Sequence, residues 1–201
     1  MHSRISDIPS ARVWKSLVRS AIINEGASSK LSLQYLNRPL SSGDTHNIWI
    51  SADTDSISIK KACVKARLVT GVYILQKDRS TFYWSREKPE CVLCKDGDED
   101  RNHFILKCRT LDNARTVFIT KLKNILLKLD MYDYILGNCL LLQLILDLTH
   151  PSIPMKLQGD GVRCKIESIS RGICFSLHRK RCSLLDIQIK WFRGLFHGLG
   201  A

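Results

Sequence analysis

Residues 91–108 read Cys91-Val-Leu-Cys-Lys-Asp-Gly-Asp-Glu-Asp-Arg-Asn-His-Phe-Ile-Leu-Lys-Cys108, CVLCKDGDEDRNHFILKC. Three of the chain's eight cysteines and one of its six histidines fall here, spaced Cys91-x2-Cys94-x8-His103-x4-Cys108. A Cys-x2-Cys turn sets two thiolates about 3.5–4 Å apart, as tetrahedral Zn²⁺ with bonds of about 2.3 Å requires. His103-x4-Cys108 can supply the other two vertices after a chain reversal, and Lys95-Asp96-Gly97-Asp98 is a turn sequence suited to that reversal. Pro89 stiffens the entry. Three thiolates and a neutral imidazole leave a net charge near −1, which Lys95, Arg101, Lys107 and Arg109 can offset. The expectation is one zinc ion in a closed, structural CCHC knuckle. The acidic insert does not make a calcium loop. Counting from Asp96, such a loop wants Gly at its sixth position and Glu at its twelfth, and here these are Arg101 and Lys107.

Around this segment the chain reads as mostly α. Ser10 precedes an amphipathic run through Trp14, Leu17, Val18 and Ala21, and residues 38–56 read as a loop. Ile59, Ala62, Ala66, Val69 and Tyr73 mark one face of a helix. Lys60 and Arg67 share another face, and Lys61 and Lys65 are neighbours four apart. Thr110 is a candidate N-cap for a helix carrying Leu111, Ala114, Phe118, Leu122, Ile125 and Leu129. Residues 132–148, apolar on nearly every side, suggest one buried helix. The prolines and glycines of 150–161 break it, and a last helix presents Val162, Ile166, Ile169, Ile173, Leu177 and Leu184. The expected organisation is an N-terminal helix plus loop (1–58), then a basic helix, knuckle and following helix (59–130), then a C-terminal helical segment (131–201), in one compact unit. Cys174, His178 and Cys182 recur every four residues on the last helix. The outer two lie about 12 Å apart along its axis, too far to share an ion. Core packing is the expectation for these cysteines and for Cys63, Cys139 and Cys164.

The formal charge of the 201 residues is +12, and residues 59–130 hold 16 Lys/Arg against 9 Asp/Glu. Such an excess favours polyanionic partners. The N-terminus lacks the apolar core of a signal peptide. The longest apolar run, 139–148, is too short to span a bilayer and contains Gln143 and Asp147. An intracellular chain with reduced cysteines and no membrane association is therefore expected, which weakens a disulfide reading.

Lys65 to Phe118 resembles the zinc-binding region downstream of the reverse transcriptase domain in non-LTR retrotransposons, particularly mollusc-like elements. The motifs are Arg67-Leu68-x-Thr70-Gly71, the Cys-x2-Cys, the acidic stretch, His103-Phe104-x-Leu106-x-Cys108, and Leu111 followed by Arg115. Residues 4–18 and 166–181 resemble those polyproteins more weakly. The resemblance implies a nucleic-acid-associated zinc module from the C-terminal part of such a polyprotein. Polymerase chemistry needs adjacent carboxylates to hold two Mg²⁺ ions. Met131-Tyr132-Asp133-Tyr134 offers one Asp there, so no catalytic activity is expected.

The leading expectation is binding of RNA or DNA with weak sequence specificity. The phosphate contacts would be Lys60, Lys61, Lys65, Arg67, Lys77, Arg79, Lys107 and Arg109. Phe82, Tyr83 and Trp84 can stack on unpaired bases or pack beside the knuckle. The rival readings are a zinc-stapled protein-interaction module and a decayed element without selected function.

Overall fold

In the computed structural model, residues 46–50, 52–82 and 88–185 are described. The helix expected from Ser10 lies outside them, as do Tyr83, Trp84 and the side chain of Phe82. The described residues form seven α-helices and no strand: α1 (Asn47–Ile50), α2 (Ser56–Thr70), α3 (Gln76–Phe82), α4 (Asp112–Lys128), α5 (Tyr132–Gly137), α6 (Leu141–Leu146) and α7 (Asp160–Leu184). The fold is all-α with a Cys/His knuckle inserted between α3 and α4. No helix among the described residues is long and apolar enough to cross a membrane.

Helix α2 starts where Asp55 accepts the N–H groups of Ile57 and Ser58, at 2.9 and 3.0 Å. These are donors that the first helical turn cannot satisfy itself. It stops at Gly71, whose φ of 78° suits a residue without a Cβ. The 25-residue α7 is the central element and packs against both α2 and α4. Ala62, Val64, Leu68 and Val69 of α2, Leu122 and Leu126 of α4, and Ile166, Ile173 and Leu177 of α7 share one core with Leu144, Ile145 and Leu146 of α6. Each large apolar side chain buried there contributes about 1.5–3 kcal/mol.

Several expectations fail. Helix α1 occupies part of the expected 38–56 loop, because Ile48 is buried and its carbonyl accepts Arg171 Nη1 at 2.9 Å. Ile59 is exposed, and so is Leu184. Thr110 caps nothing: a 3-10 turn, Arg109–Leu111, precedes α4, which begins at Asp112. The single helix expected over 132–148 is broken between α5 and α6. Cys139 adopts the left-handed conformation at φ 55° and donates its N–H to Leu136 O, while Leu140 N–H reaches Ile135 O. This paired closure is usually made at glycine. Asp130 and Met131 close α4 in the same way, with Asp130 at φ 53°. Cys139 is consequently exposed, as is Cys164, and Cys63 is half-buried, whereas Cys174 and Cys182 are buried.

Past α6, Asp147 is almost completely buried. Its Oδ1 accepts the backbone N–H and hydroxyl of Thr149 at 2.9 and 2.6 Å and lies 3.5 Å from His46 Nε2. Burial alone would raise this carboxyl, but the His46 ring and Thr149 outweigh it and hold it down at about 2. A carboxyl depressed in the folded state stabilises above its unfolded value, and that contribution is lost as pH falls through the folded one. The window therefore runs from about pH 4 down to about pH 2 and spans about 2 kcal/mol. Unfolding free energies from urea titrations at pH 5 and pH 2 should diverge more for the parent than for Asp147→Asn, by about that amount. Equal divergence would remove Asp147 from the acid response.

Candidate metal centre and basic cleft

The knuckle is assembled from two tight turns. In the first, an antiparallel bridge joins Glu90 to Asp98, Cys91 N–H donates to Gly97 O at 2.9 Å, and Lys95 N–H donates to Cys91 O at 3.0 Å. Lys95 and Gly97 both take left-handed conformations, at φ 56° and 77°, so the chain reverses within six residues of Cys91. The second is a π-helical turn, His103–Lys107. Asp100 Oδ1 accepts His103 N–H at 2.8 Å to start it, and Cys108 N–H donates to His103 O at 2.7 Å to close it. A five-residue offset is the π-helical repeat, so the His-x4-Cys spacing sets ligand and ligand at the two ends of one turn.

Cys91, Cys94, His103 and Cys108 thereby converge, with all four donor atoms within 4.8 Å of one another. The Sγ atoms of Cys91 and Cys108 are 3.8 Å apart, and Cys94 Sγ is 3.1 Å from His103 Nε2. A tetrahedral ion with metal–sulfur bonds of about 2.3 Å has edges of about 3.8 Å, so the donors can hold one ion. Burial, followed by the neighbouring thiols Cys91 and Cys94, pushes the Cys108 thiol up to about 12, and burial raises Cys91 as well. A divalent cation among these sulfurs would reverse that preference and hold them as thiolates.

Three contacts tie the knuckle to the helices, and the sequence pattern reveals none of them. Arg115 of α4, almost wholly buried, donates to the carbonyls of Leu106 and Cys108 at 2.6 and 2.7 Å. Glu99 is not part of a solvated acidic stretch: it is fully buried and pairs with Arg181 of α7 through two bonds of 3.0 Å. Its Oε2 also accepts Gln76 N–H at the start of α3. Tyr73 stacks on Phe104 with ring centroids 5.5 Å apart and bonds His178 Nδ1 at 3.0 Å.

The eight cations expected to contact phosphates do not share one fate. Lys65 is fully buried and gives 2.8 and 2.7 Å bonds to both carboxylate oxygens of Glu167, so it is a core residue and not a phosphate contact. Lys77 faces Asp98 and Asp100 at 3.4 and 3.8 Å, and Arg109 pairs with Asp96 at 2.8 Å. Arg79 and Lys107 are exposed, and Lys60 and Arg67 are half-buried. Lys61 lines a cleft of about 590 Å³, running over α7 between α2 and α4. Arg179 and Lys180, which the charge distribution did not single out, line it too, with Phe118 and Phe175. Their signal was present in the spacing, since Gly172, Phe175, Ser176, Arg179, Lys180 and Ser183 follow the three- and four-residue rhythm of one helix face.

No family model matches the chain, and no curated protein or solved structure shows significant similarity to it.

Proposed function

We propose that this chain is a non-catalytic nucleic-acid-binding domain organised around one structural zinc ion, of the kind found downstream of the reverse transcriptase domain in non-LTR retrotransposons. Zinc is the ion that three thiolates and one imidazole in a closed tetrahedron suit best, and four protein donors leave no vertex for a reacting water. Motif residues behind the resemblance have physical work around the knuckle: Gly71 ends α2, and Arg115 of α4 clasps the carbonyls beside the ligands.

The observation that carries the nucleic-acid reading is the cleft, which Lys61, Arg179 and Lys180 line without any carboxylate. Three cations converging on a concave, acid-free surface raise the local concentration of a polyanion. Binding of zinc-loaded protein to an oligonucleotide should then weaken with salt. The expected slope of log K against log salt is about −2 to −3, from about 0.7–0.9 per neutralised phosphate. Lys61→Ala combined with Lys180→Ala should flatten it by about 1.5. Salt-insensitive binding, or none, would remove this reading. The second reading, a protein-interaction module, draws on Trp49, Ile50, Ile57 and Ile59, apolar side chains exposed on the adjoining α1 and α2.

A further inference from the structure

The cleft also discriminates between forms of nucleic acid. A duplex presents a convex surface whose base edges are reached by an element projecting into a groove about 12 Å wide. Here the geometry is inverted, because α7 forms a floor and α2 and α4 stand as walls. A recess of about 590 Å³ is the size that accepts small organic ligands, and so the size for a few unpaired nucleotides. Its lining combines cations and aromatics: Phe175 lies one turn before Arg179 on α7, with Phe118 and Lys61 on the walls.

One ring rests directly on the floor. Phe118 packs so closely on Gly172 that a Cβ there would collide with its Cε1. Ser176 Oγ, on the same face of α7, donates to Ala114 O at 3.0 Å and ties the α4 wall to the floor. Phe118 is therefore already packed in the cleft, which lowers the ordering cost of binding against it.

We infer that this cleft binds a single-stranded polynucleotide, with phosphates on Lys61, Arg179 and Lys180 and an unpaired base stacked against Phe175 and Phe118. The inference rests on the nucleic-acid reading above and adds the class of ligand. Stacking accepts any base, so the site should be indifferent to sequence.

The test compares full-length, zinc-loaded protein with labelled 12-mers of single-stranded RNA, single-stranded DNA and the DNA duplex. Either single strand, or both, should bind at least about 10-fold tighter than the duplex. Phe175→Leu keeps the apolar bulk and removes the π-face. It should weaken single-strand binding about 5-fold or more while leaving the salt slope and zinc content unchanged. Phe175→Tyr, which keeps the π-face, should bind like the parent, and this controls for a packing defect. Arg179→Ala with Lys180→Ala should instead flatten the slope by about 1.5. Equal binding of duplex, no loss in Phe175→Leu, or equal displacement by polyglutamate would overturn the single-strand inference and leave only a polyanion surface. Absence of binding to every nucleic acid would remove the proposed function with it.

Discussion

Cys94→Ser should leave the purified protein with less than about 0.1 equivalent of zinc, against about one for the parent grown in the same zinc-supplemented medium. Cys94 is half-buried, so serine fits its position and the loss reports on coordination more than on packing. Structural zinc contributes on the order of 10 kcal/mol to small closed sites, and a missing thiolate removes most of that. Residues 88–109 should then loosen, and their amide hydrogens, Pro89 having none, should exchange rapidly. The bundle of α2, α4 and α7 should keep most of its helicity, because Leu68, Leu122, Leu126, Ile166, Ile173 and Leu177 come from the helices themselves, and of the ligands only Cys91 and Cys108 join that core. Elemental analysis reads the first part and hydrogen exchange the second. Retention of more than half an equivalent by Cys94→Ser would exclude the four-donor site.

Removal of the Glu167 carboxylate should produce the second large effect. Lys65 and Glu167 are each almost wholly enclosed, on α2 and α7, and each is the other's partner. Glu167→Ala strands an ammonium in the core and should cost about 3–5 kcal/mol, lowering the thermal midpoint by about 10 °C or more. Lys65→Met with Glu167→Leu should recover most of the loss, since an apolar pair of similar volume avoids the desolvation penalty. A Glu167→Ala midpoint within about 2 °C of the parent would show that the pair is not enclosed in solution.

The parts legible in the sequence were those written in local spacing. The ligands lie within one eighteen-residue stretch, so their order alone identified the cluster. The core faces of α4 and α7 followed from three- and four-residue rhythm. What stayed hidden depends on residues distant in sequence. Glu167 is 102 positions from Lys65, and Arg181 is 82 from Glu99, so nothing in the local sequence marks the four charges as paired. The concentration of charge in residues 59–130 also hid where the cations go. Lys77 and Arg109 face aspartates of the knuckle, while the cations of the cleft come partly from the far end of α7. The break at Cys139 was hidden because its left-handed conformation is carried by a residue that gives no glycine signal.

The buried pair also fixes an alignment. Sliding α2 along α7 by one turn would carry Lys65 about 5.4 Å from Glu167 and leave both charges against apolar walls. Only one longitudinal setting of the two helices avoids this. Lys61 stands one turn before Lys65 on α2, so the same setting fixes its height opposite Arg179 and Lys180. The spacing of positive charge across the cleft is thus set from inside the core, by two residues enclosed away from its surface. The apolar double variant is expected to melt near the parent while giving broadened or doubled amide resonances along α2. A single sharp set would show that shape complementarity alone holds the alignment.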